Sequence, residues 1–75
     1  MSARESIGLA DLELLTLRIS EGLVAARPGC TLEISTYVWN RNSFDAQHRF
    51  EDACDAHGIR FAVKEQIGGI EWVCP

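Results

Sequence analysis

Two apolar runs on either side of Gly68-Gly69 constrain the fold of this chain more than any other feature of its sequence. Apolar and polar side chains alternate in both runs, and a two-glycine loop between such runs is typical of a β-hairpin with a type I′ or II′ turn. Pairing Ile67 with Ile70 places Trp72 on the core face, and a shift of one residue would expose it. The C-terminal third is therefore predicted to be a β-hairpin. Its core face is expected to hold Phe61, Val63, Ile67, Ile70, Trp72 and Cys74.

A strand and a helix are predicted ahead of this hairpin. The segment from Thr31 to Trp39 is rich in β-branched and aromatic residues, so we expect a strand with alternate side chains toward the core. Either Asn42 or Ser43 can cap the helix that follows, and Gly58 supplies the left-handed residue that ends it. The side of this helix that faces the core is expected to hold Phe50, Ala53, Cys54 and His57.

The N-terminal part of the chain is harder to assign. Residues 1–8 have no clear periodicity and are expected to be a loose lead-in. Between Leu9 and Arg27, apolar residues recur at helical spacing, and the sequence Arg27-Pro28-Gly29 would end a helix. Residues 15–20 also alternate strictly and are compatible with a strand. The helix is preferred because the helical stripe is longer than the alternating segment.

These elements predict an α+β fold in a single domain, residues 1–75. The order is α-β-α-β-β, and the architecture is a two-layer sandwich in which two helices cover one face of a three-stranded sheet. The connection between the first two strands is long enough for a crossover, so that pair is expected to be parallel. The sequence leaves open which neighbour the first strand has.

Charge and cysteine content narrow the function classes. Eleven acidic and seven basic residues give a net charge of −4, which disfavours direct binding to nucleic acid. Three cysteines without a CxxC pair indicate neither a disulfide framework nor a zinc site, so reduced thiols and a cytoplasmic location are predicted, with no cofactor and no metal. No stretch resembles a signal peptide or a membrane span.

The sequence also disfavours a catalytic function. Cys54 and His57 are three residues apart on a predicted helix and could form a dyad, but no further group completes a catalytic set. We interpret Cys54 as a small core residue and His57 as a last-turn residue near free carbonyl groups. An enzyme with Cys54 or Cys30 as its nucleophile is therefore not expected.

The outer side of the second predicted helix is the best candidate for a functional surface. Its acidic residues fall at helical spacing, and on an exposed helix they are either a partner-binding stripe or an ordinary solvated face supported by pairs such as Asp45 with Arg49 and His48 with Asp52. Tyr37 and Trp39 are predicted on the strand face opposite the core, where exposed aromatic side chains anchor interfaces. The candidate partner-binding residues are Asp45, Glu51, Asp52, Asp55, Tyr37 and Trp39.

In its size, acidity and compact α/β layout, the chain resembles the small phage-encoded anti-CRISPR proteins that inhibit type I CRISPR-Cas complexes. The resemblance implies an inhibitor that binds a basic protein surface as a DNA mimic, with carboxylates in the place of phosphates. Asp45 and Asp52 would lie about 10 Å apart along a helix, near three nucleotide steps of one strand. The alternative is a small regulatory or assembly domain, a monomer or a homodimer that forms through its open sheet face.

Overall fold

The computed structural model describes residues 3–75. In these residues, four strands form one sheet and three helices accompany it. The elements along the chain are β1 (Ala3–Ser6), α1 (Leu12–Ser20), β2 (Thr31–Ser35), α2 (Thr36–Asn40), α3 (Phe44–Ala56), β3 (Phe61–Lys64) and β4 (Ile70–Cys74). The α+β class is confirmed, whereas the predicted three-stranded sheet is wrong.

Strand β2 lies inside the sheet, whose order is β1-β4-β2-β3. It pairs in parallel with β3, where Leu32 is opposite Phe61, and antiparallel with β4, where Leu32 is opposite Trp72. The predicted parallel pair is therefore confirmed. The predicted hairpin is wrong, because β2 separates β3 from β4.

The connection between β3 and β4 explains this difference. A hairpin would pair Ile67 with Ile70 directly, but β3 ends at Lys64 and the backbone N–H of Ser35 in β2 donates to the C=O of Gly69 at 2.8 Å. Five residues between the strands are enough to pass over one intervening strand, because neighbouring strands are only about 4.8 Å apart. In this interior position, the backbone groups on both edges of β2 are paired with a neighbouring strand. Strand β2 is also the strand with the most buried side chains.

The N-terminal segment is also more ordered than the sequence predicts. Instead of a loose lead-in, Ala3–Ser6 form β1, an edge strand antiparallel to β4. The N–H of Ile7 continues this pairing by donating to the C=O of Ile70 at 3.2 Å. Residues 1 and 2 of the predicted lead-in lie outside the described residues.

Helix α1 confirms the helical alternative and rejects the strand at residues 15–20. Asp11 caps it by accepting from the N–H groups of Glu13 and Leu14. The helix ends at Ser20, shorter than predicted, and Gly22 follows with a left-handed φ of 78°. Leu23 and Ala26, which the helical spacing between Leu9 and Arg27 places on the same side as Leu12, Leu15 and Ile19, lie beyond the end of the helix and are exposed.

The helices and the sheet share one core. Leu12, Leu15 and Ile19 of α1 join buried residues of α3 and of the sheet. Ile70 and Trp72 of β4 are buried, so the predicted core position of Trp72 is confirmed. Both longer helices therefore pack against the same face of the sheet.

In the part of the chain that the structure describes, the opposite face of the sheet has no helix on it and carries a small charge network. Nη1 of Arg4 lies 3.0 Å from Oε1 of Glu33 and 3.2 Å from Oε1 of Glu71. Glu33 and Glu71 are cross-strand neighbours, so the guanidinium offsets a repulsion between like charges. The hydrogen bond that Arg4 donates to Glu33 is the largest cause of the raised pKa of Arg4.

A disulfide joins the residue before β2 to the last residue of β4. Cys30 and Cys74 are bonded, with their Cα atoms 4.3 Å apart, and Cys54 is a free, buried thiol. The prediction of three reduced cysteines is wrong for this pair, because the antiparallel β2–β4 register brings together two residues that are 44 positions apart in sequence. Across residues 3–75, no helix has the length and apolar character needed to cross a membrane.

Loss of the disulfide is expected to destabilise the fold strongly. Cys74→Ser should lower the free energy of unfolding by about 4 kcal/mol, because the bond restricts the unfolded chain across a long loop. Urea denaturation measures this change. Reductant should lower the stability of the wild type to the same level and leave the variant unchanged. Identical unfolding midpoints for the wild type with and without reductant would contradict the bond.

The strand order predicts unequal costs for two apolar substitutions. Ile34→Ala empties a buried position in β2 and is expected to cost about 2–5 kcal/mol. Val63→Ala lies in the edge strand, where the valine is 37% exposed, and should cost less than about 1 kcal/mol. Urea denaturation of both variants tests the order. A cost at Val63 equal to that at Ile34 would favour the hairpin register.

Candidate functional site

Helix α3 carries the candidate site, and both of its ends are fixed by local hydrogen bonds. Of the two predicted caps, Ser43 is the one used, and its hydroxyl accepts from the N–H of Ala46 at 3.2 Å. At the other end, Gly58 adopts a left-handed φ of 67°, and the N–H of Ile59 donates to the C=O of Cys54 at 2.8 Å. This C-terminal motif folds Ile59 back into the core, as the sequence predicts.

The acidic face of α3, which we define by its four carboxylates, points away from the core. All four side chains are exposed, and at 100° per residue they occupy the side of the helix opposite Phe50 and Ala53. These are the predicted site residues Asp45, Glu51, Asp52 and Asp55. The structure therefore brings the four acids together on one surface.

The nearest cation on α3 is directed away from this face. Nη2 of Arg49 lies 3.2 Å from Oε1 of Glu13 on α1, an exposed pair that links the two helices. The alternative pairs of Asp45 with Arg49 and of His48 with Asp52 do not form. Among residues 3–75, no cationic side chain lies within salt-bridge distance of the acidic face.

An exposed aromatic residue, which the sequence analysis missed, lies on the same side of α3. Phe44 is 81% exposed and comes directly after the cap, about one helical turn before His48 and on the same side as Asp55. The signal was available, because the apolar residues from Ala46 to Cys54 define the buried side, and Phe44 falls outside it. The acidic face therefore has a large apolar side chain at its N-terminal end.

A shallow depression lies where the last turns of α3 meet the start of β3. Its volume is about 330 Å³, with Glu51, Asp52 and Asp55 among the residues that line it. The apolar residues that line it are Cys54, Ile59 and Phe61. Acidic groups beside apolar surface suit the aliphatic stem and charged head of a lysine or arginine side chain.

The two predicted aromatic anchors do not lie on the helix-free face of the sheet. After Ser35 the chain turns into α2, because the Ser35 hydroxyl caps that helix by accepting from the N–H of Val38 at 3.1 Å. Tyr37 is exposed, with the Arg41 guanidinium 5.2 Å from its ring centroid. Its predicted exposure is therefore confirmed, although not its position in a strand.

Trp39 is the predicted site residue whose exposure is wrong. Its ring is partly buried, stacked on Phe61 with centroids 5.7 Å apart and in edge contact with Phe50 at 6.1 Å. The short helix α2 turns it toward the core, which a continuous strand would not do. Trp39 thus supports Phe61 in the wall of the site, and less of its ring is exposed than the sequence predicts.

The thiol chemistry of the chain is restrained by burial and bonding. Burial raises the pKa of the Cys54 thiol to about 12, and Cys30 is in the disulfide. His57, expected on the core side, is an exposed residue at the end of α3. Within residues 3–75, no three His, Cys, Asp or Glu side chains form a group that could hold a metal ion.

These features define a small α+β domain with one disulfide and an acidic helical surface. Comparison with known proteins finds no match to a protein family, to a curated protein or to a solved structure.

Thiol alkylation tests both the buried thiol and the disulfide. Native protein at pH 8 should react very slowly with iodoacetamide, because Cys54 is buried and its raised pKa keeps it protonated. Mass spectrometry should find one added group after unfolding without reductant, and three after unfolding with it. Rapid modification of the native protein would contradict the placement of Cys54.

Proposed function

We propose that this chain is a non-enzymatic binding protein whose acidic face occupies a basic surface on a nucleic-acid-binding protein. The observation that carries the proposal is that Asp45, Glu51, Asp52 and Asp55 are exposed together and lack a cationic partner in residues 3–75. Like charges on one helix repel one another, and cations supplied by a partner would relieve that repulsion. Complementary charge would also speed association and orient the partner.

Phe44 replaces Trp39 as the aromatic anchor in this proposal. A large apolar side chain that is almost fully exposed gains more from burial in a partner's pocket than a side chain that is already packed. Phe44 lies at the end of α3 that carries Asp45, so one partner can cover both. The exposed ring of Tyr37 is a second candidate contact.

The first partner to test is a type I CRISPR effector complex, as the resemblance to anti-CRISPR proteins suggests. In that role the acidic face would act as a DNA mimic, with carboxylates facing groups that otherwise hold phosphates. A cytoplasmic location belongs to this proposal. The Cys30–Cys74 disulfide counts against that location, since stable disulfides are rare in reducing compartments.

The alternative is a domain that dimerises through its helix-free sheet face. The aromatic residues that suggested this alternative are not on that face. Tyr37 and Trp39 lie in α2 and do not project from that face. What the face carries instead is the network of Arg4, Glu33 and Glu71. Dimerisation there would have to bury these charged groups, which costs free energy unless each keeps its partner.

Charge removal tests the proposed binding surface. The triple variant Asp45→Asn, Asp52→Asn, Asp55→Asn should lose most capture of a purified type I effector complex, because the electrostatic attraction is gone. Surface plasmon resonance at low and moderate salt measures it, and wild-type binding should weaken as salt rises. Phe44→Ala should weaken binding by about tenfold or more, with little effect on folding.

Two double variants of equal charge distinguish the effect of the acidic face on binding from the effect of net charge. One double variant combines Asp52→Asn with Asp55→Asn in the acidic face. The other combines Glu21→Gln with Glu65→Gln outside it, and it removes the same charge from positions that are also exposed. Only the first pair should weaken binding. Equal binding by the wild type and the triple variant would overturn the proposed surface, and failure of DNA to compete would overturn the DNA-mimic mechanism.

A further inference from the structure

Strand β3 has one edge with no strand beside it, because it is the last strand of the sheet. The pairing of β3 with β2 determines which of its backbone N–H and C=O groups face β2 and which face outward. The N–H of Leu32 donates to the C=O of Arg60 at 2.8 Å, so Arg60, Ala62 and Lys64 turn their backbone groups toward β2. Phe61 and Val63 must then turn theirs outward.

These outward groups have no hydrogen-bond partner within residues 3–75. Neither the N–H nor the C=O of Phe61 or Val63 takes part in the loop, turn and cap bonds of the chain. Helix α2 lies close to β3 and stacks the Trp39 ring on Phe61, but no backbone hydrogen bond joins α2 to the outward groups of β3. The edge therefore offers two donors and two acceptors in the spacing that an added strand requires.

The acidic depression lies beside this edge. Phe61 belongs to both features, since it lines the depression with Glu51, Asp52 and Asp55. Side chains alternate between the two faces of a sheet, so a residue added opposite Phe61 would project on the helix side, toward these carboxylates. Two residues further, a side chain opposite Val63 would meet an apolar surface that is 37% exposed.

We infer that the β3 edge binds an extended segment of a partner protein by strand addition, and that the segment carries a lysine or arginine two residues from an apolar residue. The basic side chain enters the acidic depression, and the apolar one covers Val63. This inference rests on the proposed function and adds its recognition mode: backbone hydrogen bonds hold the segment, and the acidic face selects its charge.

The other sheet edge does not suit the same segment. The outer edge of β1 lies at the far side of the sheet from the acidic depression, so a segment added there cannot place a basic side chain in it. On β1 the outward N–H groups include that of Ser6, because Ile7 directs its own toward β4. This edge therefore supplies a matched control.

The test uses the capped peptide Thr-Val-Thr-Arg-Thr-Val-Thr, in which either strand direction puts arginine beside Phe61 and a valine beside Val63. NMR should show slower hydrogen exchange of the Phe61 and Val63 amides in the unaltered protein on addition of the peptide. A peptide with glutamate in place of arginine should bind at least about tenfold more weakly.

Proline substitutions then test the backbone bonds. Val63→Pro removes an outward N–H without breaking the β2 ladder and should abolish binding, whereas Ser6→Pro on the β1 edge should leave it intact. Because exchange is measured on the wild type, the test holds even if Val63→Pro fails to fold. Amide protection elsewhere, or equal binding of the glutamate peptide, would overturn the inference. So would protection of Phe61 and Val63 that rises with protein concentration alone, which would mean that a second copy occupies the edge.

Failure of this inference can be told apart from failure of the proposed function. If Val63→Pro still binds the effector complex while the triple acidic variant does not, the acidic face functions without strand addition. If neither change affects binding, both proposals are wrong.

Discussion

The interior position of β2 is the constraint on which the rest of the structure depends. This strand sends Leu32 and Ile34 into the core and Glu33 to the opposite face, where Arg4 neutralises it. Its two edges pair with β3 and β4, which leaves β3 at the margin of the sheet. The disulfide then fixes the start of β2 to the end of β4. In a domain with one small core, that bond is a large part of the total stability.

The surface features follow from this arrangement. Because β3 is an edge strand, Phe61 can support Trp39 and Phe50 on one side and line the acidic depression on another. Because α3 packs against α1, Arg49 is engaged by Glu13, and the four carboxylates have no cationic partner among residues 3–75. The acidic face and the free edge are thus adjacent as a consequence of packing, and each is a separate element of the proposed recognition.

Sequence patterns predicted the local features well and the long-range ones poorly. The α3 cap, its end at Gly58, the buried stripe of α1 and the exposure of the acids all depend on neighbours in sequence. The hairpin was wrong because a local turn signal at Gly68-Gly69 says nothing about a strand inserted between its arms. The disulfide depends on that same strand order. Trp39 was misplaced because β-branched residues around Ser35 conceal a serine cap.

Backbone NOEs are the most direct test of the central claim, that β2 separates β3 from β4. The account predicts parallel contacts between Ile34 and Val63 and antiparallel contacts between Glu33 and Glu71, as the register requires. Contacts from β3 directly to β4 across the glycines would contradict it. In that case β3 would not be a free edge, and an added strand would have no place to pair beside the acidic face.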